Sequence, residues 1–239
     1  MEKLALQKVG DIVSSNFRTS KVLTAHNIDF CCGGGKTLQE ACRKQKEDLD
    51  SVIAELKGVL EQKEDGEFQE LELDKLIDLI IQDHHSYILA TAPALQVYLD
   101  KLCKVHGHYY NHLFEIRDLF KEISIELLEH MKKEESVLFP YIKAMVSSIK
   151  MGFPLSKPHF ENIDNPIESL EHEHISVGEK FKKISQLSEN YTCPADACQT
   201  FKVAFALLKE FEEDLHKHVH LENNLLFPSS RKMFSKNFM

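Results

Sequence analysis

The chain has 239 residues and carries 29 basic against 38 acidic side chains, which gives a formal charge of −9 at pH 7. This acidity argues against a nucleic-acid partner, because affinity for nucleic acid depends on lysine and arginine neutralising phosphates. The N-terminus lacks a basic stretch followed by an apolar run, and no apolar run approaches the ~18 residues needed to span a bilayer, so we expect a cytoplasmic protein without a membrane partner.

A small helical unit with two adjacent cysteines is predicted over residues 1–65. Its central stretch reads HNIDFCCGGGKTLQEAC, in which Cys31 and Cys32 precede three glycines. Thr37 and Glu40 have the spacing of a capping box, so a helix is expected to begin just after the glycines. Backbone N–H groups and the dipole of that helix can lower the pKa of a thiol, which suits both cysteines as reactive groups or as soft ligands for transient iron. The alternative is that both are small buried residues before a turn.

Residues 66–239 are predicted to form a four-helix bundle, because apolar stripes with helical periodicity follow a charged linker at 61–70. The first two stripes are Ile77, Ile81, His85, Ile88, Ala92, Leu95, Leu99 and Leu102, then Leu113, Ile116, Phe120, Ile123, Leu127, His130, Glu134, Val137 and Tyr141. The other two are Ile167, Leu170, His174, Val177, Phe181 and Ile184, then Ala204, Leu208, Phe211, Leu215, His218, Glu222 and Leu225. Turns near Gly107 and Pro194 make two helical hairpins. The predicted fold class is all-α, with a small helical domain preceding the bundle.

One motif occurs twice: HMKKEESVLFP at 130–140 recurs as HVHLENNLLFP at 218–228. In the first hairpin, His85 lies 22 residues before Gly107 and His130 lies 23 after it. In the second hairpin, His174 lies 22 residues before Asp196 and His218 lies 22 after it. With a rise of ~1.5 Å per helical residue, equal arms bring these histidines to one level of the bundle.

The polar members of the stripes are predicted to hold metal: His85, His130, Glu134, His174, His218 and Glu222. Buried without partners, such groups would each cost ~1–3 kcal/mol, and carboxylates more. Two cations bridged by both glutamates, with two imidazoles each, remove that cost and leave positions for an oxo group, water or a diatomic gas. This donor set favours iron or manganese over zinc. The residues therefore predict a dinuclear centre of iron or manganese.

Neighbouring histidines offer alternatives to two of these ligands. His85 is preferred over His84 because the stripe through His84 is more polar and the repeat register favours position 85. His172 falls off the helix face that carries His174.

Other polar residues flank the predicted ligands. His216 and His220 alternate around His218 and are expected to point outward. Glu135 and Glu173 stand next to ligands, and they fit either hydrogen-bond partners or occasional ligands of the centre, or a solvated helix face.

The two copies of the motif resemble the paired motifs of the hemerythrin-like domain, and HNIDFCCGGGKTLQEAC resembles the N-terminal domain of the repair-of-iron-centres (RIC, or ScdA/YtfE-type) proteins. This resemblance implies a protein with two non-haem iron ions, oxo- and carboxylate-bridged, that restores iron–sulfur clusters damaged by nitric oxide or oxidants, as an iron donor. The partners it implies are iron–sulfur proteins with damaged clusters, and a second copy of the chain in a homodimer. The family ligands match the six residues given above, and its vicinal cysteines match Cys31 and Cys32.

Two other functions stay open for the same centre. Open positions on two irons would allow nitric oxide to be reduced, which would make the protein an enzyme. Reversible binding of NO or O2 would instead make it a sensor, with the N-terminal domain transmitting the signal. A donor acts stoichiometrically, whereas a reductase turns over.

Overall fold

The computed structural model describes residues 2–60, 71–155, 160 and 162–238. Within these ranges the chain is helical and contains no strand, apart from a single antiparallel bridge between Lys8 and Thr37. The described residues include no helix with the length and apolar character of a membrane span. These observations confirm the predicted all-α class. The predicted linker at 61–70, and with it the predicted domain boundary, lies outside the described residues.

The chain divides into two compact units, and the first unit combines its two ends, Met1–Leu76 and Val219–Met239. Its helices are α1 (Glu2–Ala5), α2 (Val9–Ser15), α3 (Thr19–Ala25), α4 (Leu38–Gln45), α5 (Leu49–Leu60), the π-helical turn π3 (Glu222–Leu226) and α12 (Phe227–Phe238). The predicted capping box at α4 is present: Thr37 Oγ1 accepts from Glu40 N at 3.3 Å, and Thr37 N donates to Glu40 Oε2 at 2.9 Å. The C-terminal segment Val219–Met239 is thus part of the same compact unit as Cys31 and Cys32.

The second unit, Ile77–His218, contains the predicted bundle. Its elements are the end of α6 (Leu73–Leu79), π1 (Ile80–His85), α7 (Ser86–His106), α8 (His112–Lys133), π2 (Glu134–Leu138), α9 (Phe139–Met151), α10 (Asp164–Leu187) and most of α11 (Gln199–Leu221). Aromatic rings join the four long helices: Phe211 of α11 lies 5.3 Å from Phe120 of α8, 5.9 Å from Phe181 of α10 and 5.9 Å from Tyr87 of α7. The hairpin turns fall near Gly107 and Pro194, as predicted.

Three π-helical turns interrupt the regular helices beside predicted ligands. Turn π1 ends at His85, π2 begins at Glu134 and π3 begins at Glu222. A π turn holds one residue more than an α turn, so the helical register slips by one position across it. Such turns occur often at functional sites, and none was predicted from the sequence.

This slip makes part of the predicted core wrong. Val137, Tyr141 and Leu225 were predicted to face inward, but Val137 is 46% exposed and the other two are only partly buried. Leu138, Ile142 and Leu226, each one position later, are buried instead. Before His85, Ile80 is buried and Ile81 only partly so. The α10 stripe has no π turn, and all its predicted members are buried.

Candidate metal centre

Five of the six predicted ligands lie in the second unit, and every one of them is buried. They are His85 in π1, His130 near the end of α8, Glu134 at the start of π2, His174 in α10 and His218 near the end of α11. The equal arms of the hairpins account for this convergence, since each histidine stands about six turns from a bundle end.

These residues form two groups that share one carboxylate. His85, Glu134 and His218 belong to one group, and His130, Glu134 and His174 to the other, with the ligand atoms of each group within 4.8 Å of one another. Glu134 Oε2 lies 3.4 Å from His85 Nε2, and Glu134 Oε1 lies 3.3 Å from His130 Nε2. One oxygen turned toward each group is the arrangement of a bridging ligand.

Two outer carboxylates orient the histidine rings. His85 Nδ1 lies 2.7 Å from Glu135 Oε1, and His130 Nδ1 lies 3.0 Å from Glu173 Oε2. A carboxylate accepts hydrogen bonds, so each Nδ1 carries a proton and donates it, which turns the Nε2 lone pair inward. Of the alternatives for these two glutamates, the role of hydrogen-bond partner is therefore the one observed. The hydrogen bond from His130, followed by that from Lys133, lowers the pKa of Glu173 to about 2.

The inner face of the cluster has the chemistry of a cation site. His85 Nε2 lies 3.3 Å from His218 Nε2, and His174 Nε2 lies 2.9 Å from His130 Nε2. Glu134 is 0% exposed, and neither of its oxygens accepts a hydrogen bond from the described residues. A buried carboxylate facing imidazole nitrogens costs several kcal/mol unless positive charge compensates it. A metal ion supplies that charge and binds the lone pairs, so the residues present fit the predicted centre.

Glu222 repeats the position of Glu134 in the second copy of the motif. It is fully buried, and it is the first residue of π3, as Glu134 is of π2. Each glutamate follows its histidine by four residues on a continuous helical segment, and positions four apart share a helix face. The Glu222 carboxylate thus lies on the helix face of His218.

The cysteine pair lies in the first unit, and its backbone is bound by one aspartate. Asp29 Oδ1 accepts from the N–H groups of Cys31 and Cys32, each at 3.0 Å, and from Cys31 Sγ at 3.3 Å. Cys31 is buried and Cys32 is partly exposed. The hydrogen bond with Cys32, burial and the charge of Asp29 raise the pKa of the Cys31 thiol well above its ordinary value. The expected lowering is wrong for Cys31, because the nearby N–H groups bind a carboxylate instead of the sulfur.

Comparison with known proteins agrees with both halves of this description. Residues 76–229 match the Hemerythrin HHE cation binding domain, and residues 5–60 match ScdA_N, described as a Domain of Unknown function (DUF542). The Iron-sulfur cluster repair protein YtfE of Enterobacter sp. (strain 638) is 34% identical over 222 residues, which cover 93% of this chain and 95% of the relative. The chain belongs to the YtfE family. The proteins of the same name from Yersinia pestis (strain Pestoides F) and Yersinia pseudotuberculosis serotype O:1b (strain IP 31758) are each 34% identical over 223 residues, with the same coverage of both chains.

The burial of one histidine of this YtfE-family chain does not follow the sequence predictions. His220 was expected to point outward, which is wrong, since it is only 2% exposed. Residues of α2 and of the cysteine loop (residues 26–37, between α3 and α4) cover it within the first unit. The sequence gives no periodic signal for such a cover. Burial lowers its pKa to about 4.

His84, the neighbour of a predicted ligand, is also buried, at 7% exposure. Its Nδ1 donates to Asp214 Oδ1 at 2.9 Å, and its ring stacks on that of His218 with 5.7 Å between centroids and 4° between planes. His84 stands outside both ligand groups. Both histidines lie in π1, and the contacts with Asp214 and the His218 ring account for the burial of His84.

Proposed function

We propose that the protein repairs iron–sulfur clusters damaged by nitric oxide or oxidants, by donating iron from a buried di-iron centre. Support comes from relatives named iron-sulfur cluster repair proteins that match along 93% of the chain. The observation that carries the proposal is Glu134, a buried carboxylate shared by two groups of histidines. The targets of the protein would then be iron–sulfur proteins with damaged clusters in the cytoplasm.

The proposed ligands divide evenly between two iron ions. His85 and His218 would hold one iron, His130 and His174 would hold the other, and Glu134 and Glu222 would be ligands shared by both. When bound, the irons supply coordination positions for an oxo bridge and for small molecules. Glu135 and Glu173 keep the proton of His85 and His130 on Nδ1, so that both rings present an Nε2 lone pair.

The cysteine pair is proposed to receive or pass on iron. Cys32 is partly exposed, and thiolates are soft ligands that exchange with those of a damaged cluster. Replacing Cys31 and Cys32 with serine is expected to leave the iron content of the bundle unchanged while lowering the recovery of a damaged enzyme. Unchanged recovery would remove the cysteines from the mechanism.

The proposal is tested by counting iron and then following its transfer. Protein purified anaerobically and reconstituted with ferrous ion should bind about two irons per chain. Added to an aconitase-type [4Fe–4S] enzyme inactivated by nitric oxide, it should restore activity in proportion to the iron supplied. Iron-free protein and an equal amount of free ferrous ion are the controls. Recovery no better than that with free ferrous ion would contradict iron donation.

A second candidate function uses the same residues. Four imidazoles and two carboxylates leave both irons short of six ligands, which favours binding of NO or O2 for reduction or for sensing. Nitrous oxide formed over many turnovers, with iron retained, would favour a nitric oxide reductase. Tight and reversible gas binding without iron release would favour a sensor. Homodimer formation stays a separate prediction, which sedimentation of the iron-loaded protein tests.

A further inference from the structure

The second copy of the motif contacts the cysteine loop through three side chains, here named the loop seat: His220, Asn223 and Asn224. Asn223 Nδ2 donates to the carbonyl oxygen of Cys31 at 3.4 Å, and Asn224 Nδ2 donates to that of Phe30 at 3.4 Å. All these residues belong to the first unit. The peptide groups before and after the Cys31 Cα are thus held by side-chain amides of one helical segment.

His220, the third residue of the loop seat, binds the side chain of Asn224. Its Nδ1 accepts from Asn224 Nδ2 at 3.1 Å, so the ring proton is on Nε2, which lies 3.4 Å from Ser14 Oγ. The rings of Phe17 and Phe30 stand 5.9 and 6.0 Å from the imidazole. A neutral histidine enclosed by two phenylalanines fixes the Asn224 amide in the orientation that reaches the loop.

The fit between loop and seat requires glycine at two positions. Gly10 N donates to Gly34 O at 2.8 Å, and the Asn224 side chain lies against both glycines. A Cβ on Gly34 would stand 2.7 Å from Asn224 Oδ1 and 2.5 Å from Phe30 O, while one on Gly10 would overlap Asn224 Oδ1. A Cβ on Gly35, the next residue, would meet nothing within 4 Å. The close approach, and not backbone conformation, demands these glycines.

We propose that His220, Asn223 and Asn224 are positioning residues that hold the vicinal-cysteine loop closed, and that the pair becomes available for iron only when the loop leaves this seat. While seated, Cys31 is buried and its pKa is raised, so it is a poor metal ligand. The link to iron transfer rests on the proposed function, whereas closure of the loop is independent of it. A damaged client protein would gain access to both thiols by displacing the loop.

Thiol labelling of the full-length protein tests the loop seat without any iron assay. N-ethylmaleimide is added, and each cysteine is followed by mass spectrometry of its peptide. Asn224→Ala should raise the labelling rate of Cys31 by about tenfold, because two hydrogen bonds and their packing are lost. The matched control is Ser136→Ala, at the equivalent position of the first copy, where the side chain is exposed. An unchanged Cys31 rate in Asn224→Ala would overturn the proposal.

Two other cysteines distinguish release of the loop from unfolding. Cys198 is exposed and should react quickly in every variant. Cys42 is buried within the first unit and should stay protected. A second pair, Gly34→Ala against Gly35→Ala, acts on the same contact from the loop side. Gly34→Ala should expose Cys31 and leave Cys42 protected, and Gly35→Ala should change neither. The proposal would be overturned if Cys31 were labelled at the same rate in the two glycine variants. It would also be overturned if Cys42 became labelled together with Cys31, because the whole unit would then have unfolded.

Discussion

The two copies of the repeated motif share an inner face and differ on the outer one. Both carry a buried histidine and, four residues on, a buried glutamate that opens a π turn. In the first copy, Lys132, Glu135 and Ser136 are exposed. Their counterparts in the second copy, 88 residues later, are His220, Asn223 and Asn224, of which His220 is fully buried and the asparagines partly so. The buried histidine and glutamate repeat in both copies, whereas the side chains at the outer positions differ.

This difference assigns separate tasks to equivalent positions. Glu135 of the first copy accepts from His85 Nδ1 and so serves the metal centre. Asn223, which occupies the same place in the second copy, donates to the backbone of Cys31 and serves the cysteine loop. A duplicated motif can therefore keep its buried histidine and glutamate while its outer positions vary.

The largest predicted effect tests whether the inner faces are equivalent. Glu134→Ala and Glu222→Ala should each reduce iron content from about two per chain to less than about one, because each removes a ligand proposed to bridge both irons. Metal analysis after anaerobic reconstitution measures this, with Glu129→Ala, exposed on the same helix as His130, as the control. If only one glutamate variant lost iron, the two copies would differ in their inner faces as well.

A smaller effect separates the outer faces. Glu135→Ala should weaken iron binding about 10- to 100-fold, since the hydrogen bond that orients His85 is lost. Asn223→Ala, the matched change in the second copy, should leave iron affinity unchanged and affect only the cysteine loop. Competition with a ferrous chelator measures both affinities. A loss of affinity in Asn223→Ala as large as that in Glu135→Ala would show that the outer positions are not specialised.

The sequence predicts the bundle and the level of its ligands, because both follow from periodicity and equal arms. His85, His130, Glu134, His174 and His218 are buried on helix faces that counting alone identifies. The sequence does not show the three π turns, since one extra residue in a turn leaves the local amino-acid pattern unchanged. Positions in or next to these turns, such as Val137 and Leu138 in π2, consequently exchange their burial.

Contacts that depend on distant parts of the chain were also missed. His220 is buried by residues about 200 positions earlier, and a stripe analysis of one helix cannot anticipate that cover. Asp29 lies close to Cys31 in sequence, but its carboxylate competes for the N–H groups that were expected to activate the thiol. Tertiary context decided the first case, and a local hydrogen bond decided the second.

The register change at the π turns gives a stability difference of intermediate size. Leu138→Ala should lower the free energy of unfolding by about 2–5 kcal/mol, because it empties a buried position, whereas Val137→Ala should cost no more than about 0.5 kcal/mol. Leu226→Ala against Leu225→Ala repeats the comparison in the second copy. Urea unfolding of the iron-free proteins measures all four. If Val137→Ala lowered the free energy of unfolding more than Leu138→Ala, the helix would have an uninterrupted α-helical register at this point.

The smallest predicted effect again separates the two hairpins, through Glu212, a partly buried acid whose counterpart in the first hairpin is not an acid. Burial raises the pKa of Glu212 to about 7, with Glu213 adding to the shift, while the hydroxyl of Tyr191, 2.8 Å away, and the charge of Lys209 oppose it. The equivalent residue of the first hairpin is Ser124, which does not titrate.

Because the folded-state pKa of Glu212 exceeds its unfolded value of 4.5, the folded protein binds the extra proton between these two pH values. The contribution of Glu212 to stability is therefore complete below pH 4.5 and is lost as the pH rises through about 7. Glu212→Gln should match the parent in free energy of unfolding at pH 5 and exceed it by about 1–2 kcal/mol at pH 8. Urea titrations of both proteins at the two pH values measure this difference, and Ser124→Ala, whose offset from the parent should be the same at both, is the control. An offset for Glu212→Gln that also stayed constant between pH 5 and pH 8 would mean that Glu212 is already ionised in the folded state, and the two hairpins would then respond alike to pH.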